Sequence, residues 1–240
     1  MAQFTNYTDI LLDSFKFNNR PQDVINKKVE ILSTVEQHYN KKPDSVLFVG
    51  FNPWILGSTY NQTTVTKISD NALDLLNHYN VEFNYIPYES ITGKYDWVVA
   101  SDEYFTFAES EEQQKNNVEK LISLSKNQVI TTLRDYKNQD FKDREFSNPL
   151  SIRKQNDIKI FLEFNDYEYN ERNVWKTSIF EINNTILNYY GPFNRTSMYF
   201  KQLAKFSKDA GAHNFLIHKN LMYKSLIKKN YEHVISIPVK

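Results

Sequence analysis

The chain has 240 residues with 29 basic and 29 acidic side chains, so it carries no net charge. It has no cysteine, which excludes disulfides, thiolate metal sites and cysteine nucleophiles; chemistry must come from oxygen, imidazole or amine groups. The length suits a single domain over 1–240, the 15% aromatic share points to a core built largely from rings, and no signal-like N-terminus or run of about 18 apolar residues is seen, so a soluble, cytoplasmic protein is expected.

In chain order, residues 7–17 and 22–40 read as helices, the second carrying an apolar stripe of Ile25, Val29, Leu32, Val35 and Tyr39 after Pro21. Ser45-Val46-Leu47-Phe48-Val49-Gly50-Phe51-Asn52-Pro53 is a short apolar strand broken at a glycine. Thr64–Ile68 is the next strand and runs into Ser69-Asp70-Asn71, polar residues able to cap a helix over 72–79. Val81–Ile86 is a third strand, and Lys94-Tyr95-Asp96-Trp97-Val98-Val99-Ala100-Ser101-Asp102 holds a fourth, opening into small and acidic residues at its C-terminal end. A helix over 109–125, with Val118, Leu121, Ile122 and Leu124 on its buried side, leads to a fifth strand over 128–133. This alternation implies right-handed crossovers and a mainly parallel sheet, whose strand ends form the crevice in which open α/β sheets bind ligands.

Residues 134–157 lose periodicity and mix both charge signs, which reads as a mobile lid beyond the fifth strand. Ile158–Tyr167 and Val174–Ile182 then face each other as a hairpin. Helices are expected at about 184–190, 196–209 and 219–229, a helical C-terminal extension over 183–240, with a last strand at 233–237.

The glycine-broken first strand and the fourth strand together resemble the class I S-adenosylmethionine-dependent methyltransferases, a Rossmann-like α/β family with a late antiparallel hairpin. The resemblance runs through 45–182 in element order, with 1–44 as N-terminal helices that lid the cofactor side or form a plain structural layer. Only Gly50 matches the family's glycine turn; Phe48 stands where an acid is usual, and Asn52 and Trp54 stand where glycines are. The resemblance implies S-adenosylmethionine as cofactor, with Gly50, Phe51, Asn52, Asp70 and Ser101 as its binding set. Asp70, twenty residues after Gly50, is placed to accept both hydroxyls of a ribose, or to cap the 72–79 helix together with Ser69. Asp102 and Glu103 lie where the fourth strand opens, and either one can take a proton from a methyl acceptor or face solvent. Asp96, at the opposite end of that strand, reads as structural.

The expected activity is methyl transfer to an unidentified acceptor, small molecule or nucleic acid. Its rival is a non-catalytic relative that keeps the fold as a binding or scaffold module, with nucleic acid as a candidate partner. Residues 197–240 hold eight lysines against Asp209 and Glu232, interleaved with rings; they suit a polynucleotide or a solvated helix face. No G-x-G-x-x-G follows a strand, which argues against a nicotinamide dehydrogenase, and the His213/His218 spacing does not fit a zinc site, so no metal is expected.

Overall fold

Strand β1 (Ser45–Val49) is buried along its whole length, which fits a position with neighbours on both edges and cover on both faces. A computed structural model places it there and describes residues 7, 9, 10, 12, 32–51, 55–56, 59–100, 103–134, 144–146, 150–154, 157–167, 174–224 and 231–239. β1 pairs in parallel with β2 (Gln62–Thr66) on one side and β4 (Tyr95–Ala100) on the other. β3 (Asn84–Tyr85) joins β2, and β5 (Ser125–Arg134) joins β4, both in parallel. Beyond β5 come the antiparallel β12 (Tyr231–Pro238) and then β11 (Leu216–Lys224), so the seven-stranded order is β11-β12-β5-β4-β1-β2-β3.

Helix α1 (Asp70–His78) and helical residues 32–39 cover one face of this sheet. There Leu32, Val35, Ala72, Leu75 and Leu76 meet Phe48, Val65, Trp97 and Val99. Helices α3 (Glu111–Leu124) and α4 (Phe200–Asp209) cover the other, where Val118, Leu121, Leu203 and Phe206 meet Leu47, Val49 and Val98. The short helix α2 (Glu103–Thr106) follows β4. The ends opposite the crevice are tied by Asp96, whose carboxylate accepts from the backbone of Asp44 at 2.9 Å and Ser45 at 3.1 Å. Burial works against its charge, but these donors and Lys126 keep its pKa below the usual carboxylate value. The structural role expected for Asp96 is thus observed.

Between β5 and α4 the chain builds a second, five-stranded antiparallel sheet. β8 (Asp157–Tyr167) is flanked on one edge by β9 (Val174–Asn183), which pairs with β10 (Ile186–Thr196). β6 (Arg144–Phe146) and β7 (Leu150–Lys154) also pair with β8. The hairpin expected at 158–182 therefore exists but belongs to this separate sheet; the late antiparallel pair of the main sheet is β11 with β12.

Several expected elements are corrected. Residues 186–190 are strand rather than the helix expected at 184–190, because Asn184, at φ +52, turns the chain back on β9 through a two-residue loop. Residues 219–224 are strand rather than helix, with Tyr223 and Lys224 paired to β12 beyond an irregularity after His218; 225–230 lie outside the described residues. Within the expected lid, 144–146 and 150–154 are strands, and the other positions of 135–156 lie outside the described residues. The third strand contracts to Asn84–Tyr85, and the 3₁₀ turn Tyr88–Ser90 follows it. The helix expected at 196–209 is observed as α4 from Phe200, with Thr196 ending β10 instead. Among the described residues, no helix is long and apolar enough to cross a membrane.

Candidate active site

The sheet order reverses between β1 and β4, so their C-terminal ends, with that of β2, border the crevice. Gly50 ends β1 at φ +78, a left-handed conformation that glycine adopts without the Cβ penalty. Its N–H donates to the Thr66 carbonyl at 2.9 Å, and the Thr66 hydroxyl donates to the Ile86 carbonyl at 2.6 Å. These two bonds fix the ends of β1 and β2 and the segment after β3 with respect to one another.

Lys67 leaves β2 at that point. Its φ of +57 is left-handed, and the other positive-φ residues besides glycine among those described are Asn40, Asn80 and Asn184. Asparagine tolerates this region and lysine does so far less readily, so the surrounding structure imposes the conformation on Lys67. The Lys67 ammonium lies 4.9 Å from the Tyr88 ring centroid and 4.6 Å from that of Tyr104. Tyr88 follows β3 and Tyr104 belongs to α2, so the side chain joins the β2 and β3 ends to the β4 end. The two tyrosine hydroxyls are 2.5 Å apart. Burial pushes the Lys67 pKa down to about 8, with Glu89 opposing the shift. Burial also raises the pKa of both tyrosines, Tyr104 well above the usual phenol value, so they remain hydrogen-bond donors at neutral pH.

The second sheet is fastened to the same edge. Arg195, on β10 and 1% exposed, donates to the Thr106 hydroxyl from Nε at 3.0 Å and Nη2 at 2.6 Å, while its guanidinium lies 4.3 Å from the Phe107 ring centroid. Gln114 of α3 donates to the carbonyls of Phe105, Thr196 and Ser197, joining the β10 end to the segment after β4. On the buried face of the second sheet runs a polar chain. Trp175 donates to Thr177, Thr177 to Asn165 at 2.7 Å, and Asn165 to Glu163 at 3.0 Å. Glu163, 1% exposed, also accepts from the Tyr7 hydroxyl at 3.2 Å. Two residues on from Tyr7, the Asp9 carboxylate accepts from the Ser69 hydroxyl, beside the β2 end. The N-terminal segment therefore bridges the crevice edge and the second sheet, while helical residues 32–39 form a layer on the main sheet.

Of the residues expected at the site, Gly50 and Phe51 lie at the β1 turn, with Phe51 packed into the core. Asp70 is the exposed first residue of α1, and Ser69 is its N-cap, accepting from the Ala72 N–H. Glu103 begins α2 at the end of β4; Asn52, Ser101 and Asp102 lie outside the described residues. Sequence reasoning missed Lys67, Tyr88, Tyr104, Tyr7, Glu163, Asn165 and Arg195. One signal was available for Glu163 and Asn165: they alternate with Leu162 and Phe164, which puts them on the same face as Phe161. Of the lysines in 197–240, Lys201, Lys205 and Lys208 lie on the exposed side of α4 and Lys224 ends β11, so they do not share one helix.

No family model matches the sequence, and no curated protein matches it. Solved structures do match. DesVI from Streptomyces venezuelae aligns with a TM-score of 0.68 at 11% identity, over 92% of this chain and 93% of its own. SAM-bound CalS10 from Micromonospora echinaspora, an amino pentose methyltransferase, aligns with a TM-score of 0.66 at 7% identity, over 90% and 91%. KedS8 from a Streptoalloteichus species, a sugar N-methyltransferase, aligns with a TM-score of 0.63 at 6% identity, over 89% and 87%. The chain has the Rossmann-like fold of class I S-adenosylmethionine-dependent methyltransferases, with a mostly parallel central sheet and a separate antiparallel sheet.

Proposed function

We propose that this protein is an S-adenosylmethionine-dependent methyltransferase acting on a small-molecule acceptor. The observation that carries the reading is the Gly50 turn at the strand-order reversal of the parallel sheet. The fit to the cofactor rests on the turn, where a backbone at φ +78 without a Cβ lets a ligand approach closely. Gly50, Phe51 and Asn52 would hold the cofactor at β1, Ser101 at β4 and Asp70 at the start of α1. When bound, the cofactor supplies an electrophilic methyl on a sulfonium, open to in-line displacement by an acceptor lone pair. The chain's own task is then positioning and proton transfer. Glu163, Asn165 and Tyr7, buried and bonded to one another, set the second sheet against the N-terminal segment, and Asp102 or Glu103 takes the proton of the acceptor.

The structural neighbours named above as amino pentose and sugar N-methyltransferases make an amine-bearing sugar the first acceptor to try. Calorimetry with S-adenosylmethionine and S-adenosylhomocysteine tests the reading. Binding is expected for both and is expected to be lost in Gly50→Val. Mass-spectrometric detection of a 14 Da gain on a panel of amino sugars, a CH₂ increment, tests the acceptor class. Saturating cofactor without heat, on folded protein, overturns the assignment.

A further inference from the structure

In doubly wound α/β folds the C-terminal end of the second strand faces the nucleoside ribose; a carboxylate there reads free hydroxyls, and a cation nearby accommodates a phosphate on the ribose. In this chain the residue leaving β2 is Lys67. The nearest acid in sequence, Asp70, is three residues further on, exposed in the first turn of α1.

We propose that the crevice also takes an adenine nucleotide whose ribose carries a phosphate, and that Lys67 is the residue that reads that phosphate. Three further observations support this. The left-handed backbone at Lys67 is one that lysine adopts reluctantly, so the ammonium is held at this spot against a local cost. Half-buried and lying against the rings of Tyr88 and Tyr104, it is partly stripped of water, which strengthens its attraction for an anion. The Tyr88 and Tyr104 hydroxyls are bonded to each other at 2.5 Å, which fixes the two rings that flank the ammonium and so holds the lysine in place. Glu89, exposed in the same turn as Tyr88, favours the charged form of the lysine. Lysine binds phosphate as a point charge, so removing the charge should cost affinity even where the geometry persists.

The inference shares with the proposed function only the placement of a nucleoside in the crevice, and the test separates the two. Adenosine 2′,5′-bisphosphate, adenosine 3′,5′-bisphosphate, adenosine 5′-monophosphate and S-adenosylhomocysteine are titrated by calorimetry at pH 7 into wild type, Lys67→Asn and Lys67→Arg. Asparagine tolerates the left-handed backbone, so Lys67→Asn removes the charge with little strain. At least one bisphosphate is expected to bind wild type about tenfold or more tighter than the monophosphate, a preference lost in Lys67→Asn and kept in Lys67→Arg. A folding defect would weaken all four ligands together, whereas loss of the phosphate contact changes only the ratio. Equal affinity for bisphosphates and monophosphate in wild type, or a preference that survives Lys67→Asn, overturns the inference. Binding of S-adenosylhomocysteine without that preference leaves the methyltransferase reading intact and sinks this one; the reverse result sustains this one and sinks the methyltransferase reading.

Discussion

The two sheets are held in place by different forces. In the seven-stranded sheet, the inner strands put apolar side chains on both faces, so Val46, Leu47, Phe48 and Val49 alternate between two separate core clusters and all are buried. In the five-stranded sheet, one face buries Phe161, Ile179 and Phe193 together with Glu163, Thr177 and Arg195, while the other leaves Leu187 62% exposed, with Tyr189 and Phe146 also open. The first sheet is secured by non-directional burial and accommodates any side chains of suitable volume. The second is oriented by a few directional contacts, among them Arg195 to Thr106 and Tyr7 to Glu163, so its position relative to the segment after β4 depends on single atoms.

The sharpest break of that contrast is in the central sheet. Trp97, on β4 and buried in the first cluster, should cost about 3–5 kcal/mol when replaced by alanine, with the whole chain losing stability together. Denaturant unfolding followed by far-ultraviolet circular dichroism checks this, and a loss below about 1 kcal/mol would mean the sheet is not the cooperative unit. Arg195→Ala removes two hydrogen bonds and the Phe107 ring contact from a buried site and should cost about 2–3 kcal/mol. Its distinguishing readout is hydrogen exchange: protection should fall in β8–β10 while β1 and β4 hold theirs. Gly191→Ala should cost about 1–3 kcal/mol, because φ there is +116 and a Cβ would come within 2.9 Å of the Thr177 carbonyl oxygen. A melting temperature equal to wild type would show that β9 and β10 shift to admit the methyl group.

The smallest expected effect lies at the far edge of the main sheet and reads out by pH. His218 Nε2 is 2.9 Å from the Ser236 hydroxyl, which is 2.7 Å from the Tyr39 hydroxyl, and its ring meets His38 edge-on. Burial first, and the neighbouring His38 second, hold its pKa below the ordinary 6.5. As pH falls through about 6.5 the unfolded chain therefore takes up a proton that the folded chain resists, and stability is lost on acidification. Melting temperatures at pH 7.5 and 5.5 should differ more for wild type than for His218→Gln; equal differences would place the acid sensitivity elsewhere.

The elements read correctly from sequence are those whose pattern is local. β1, β4 and β5 are apolar runs bounded by polar residues, and α3 carries a clean apolar stripe, so their type and order follow from periodicity. Gly50 was legible for the same reason, as a break in such a run. β10 and β11 were misread because nothing in Ile186–Tyr190 or Lys219–Lys224 distinguishes strand from helix until β9 or β12 supplies the ladder.

At the candidate site the division falls along the same line. The sequence by itself determined that a crevice exists at the ends of β1 and β4, because alternating strands and helices with right-handed crossovers leave few topologies. Only the tertiary structure decided what borders it. Lys67 meets Tyr88 and Tyr104 across intervals of 21 and 37 residues, and Tyr7 reaches Glu163 across 156. Such contacts leave no periodic trace in the chain. They depend on where strands from distant segments end relative to one another, which is fixed by sheet order and register rather than by any local preference.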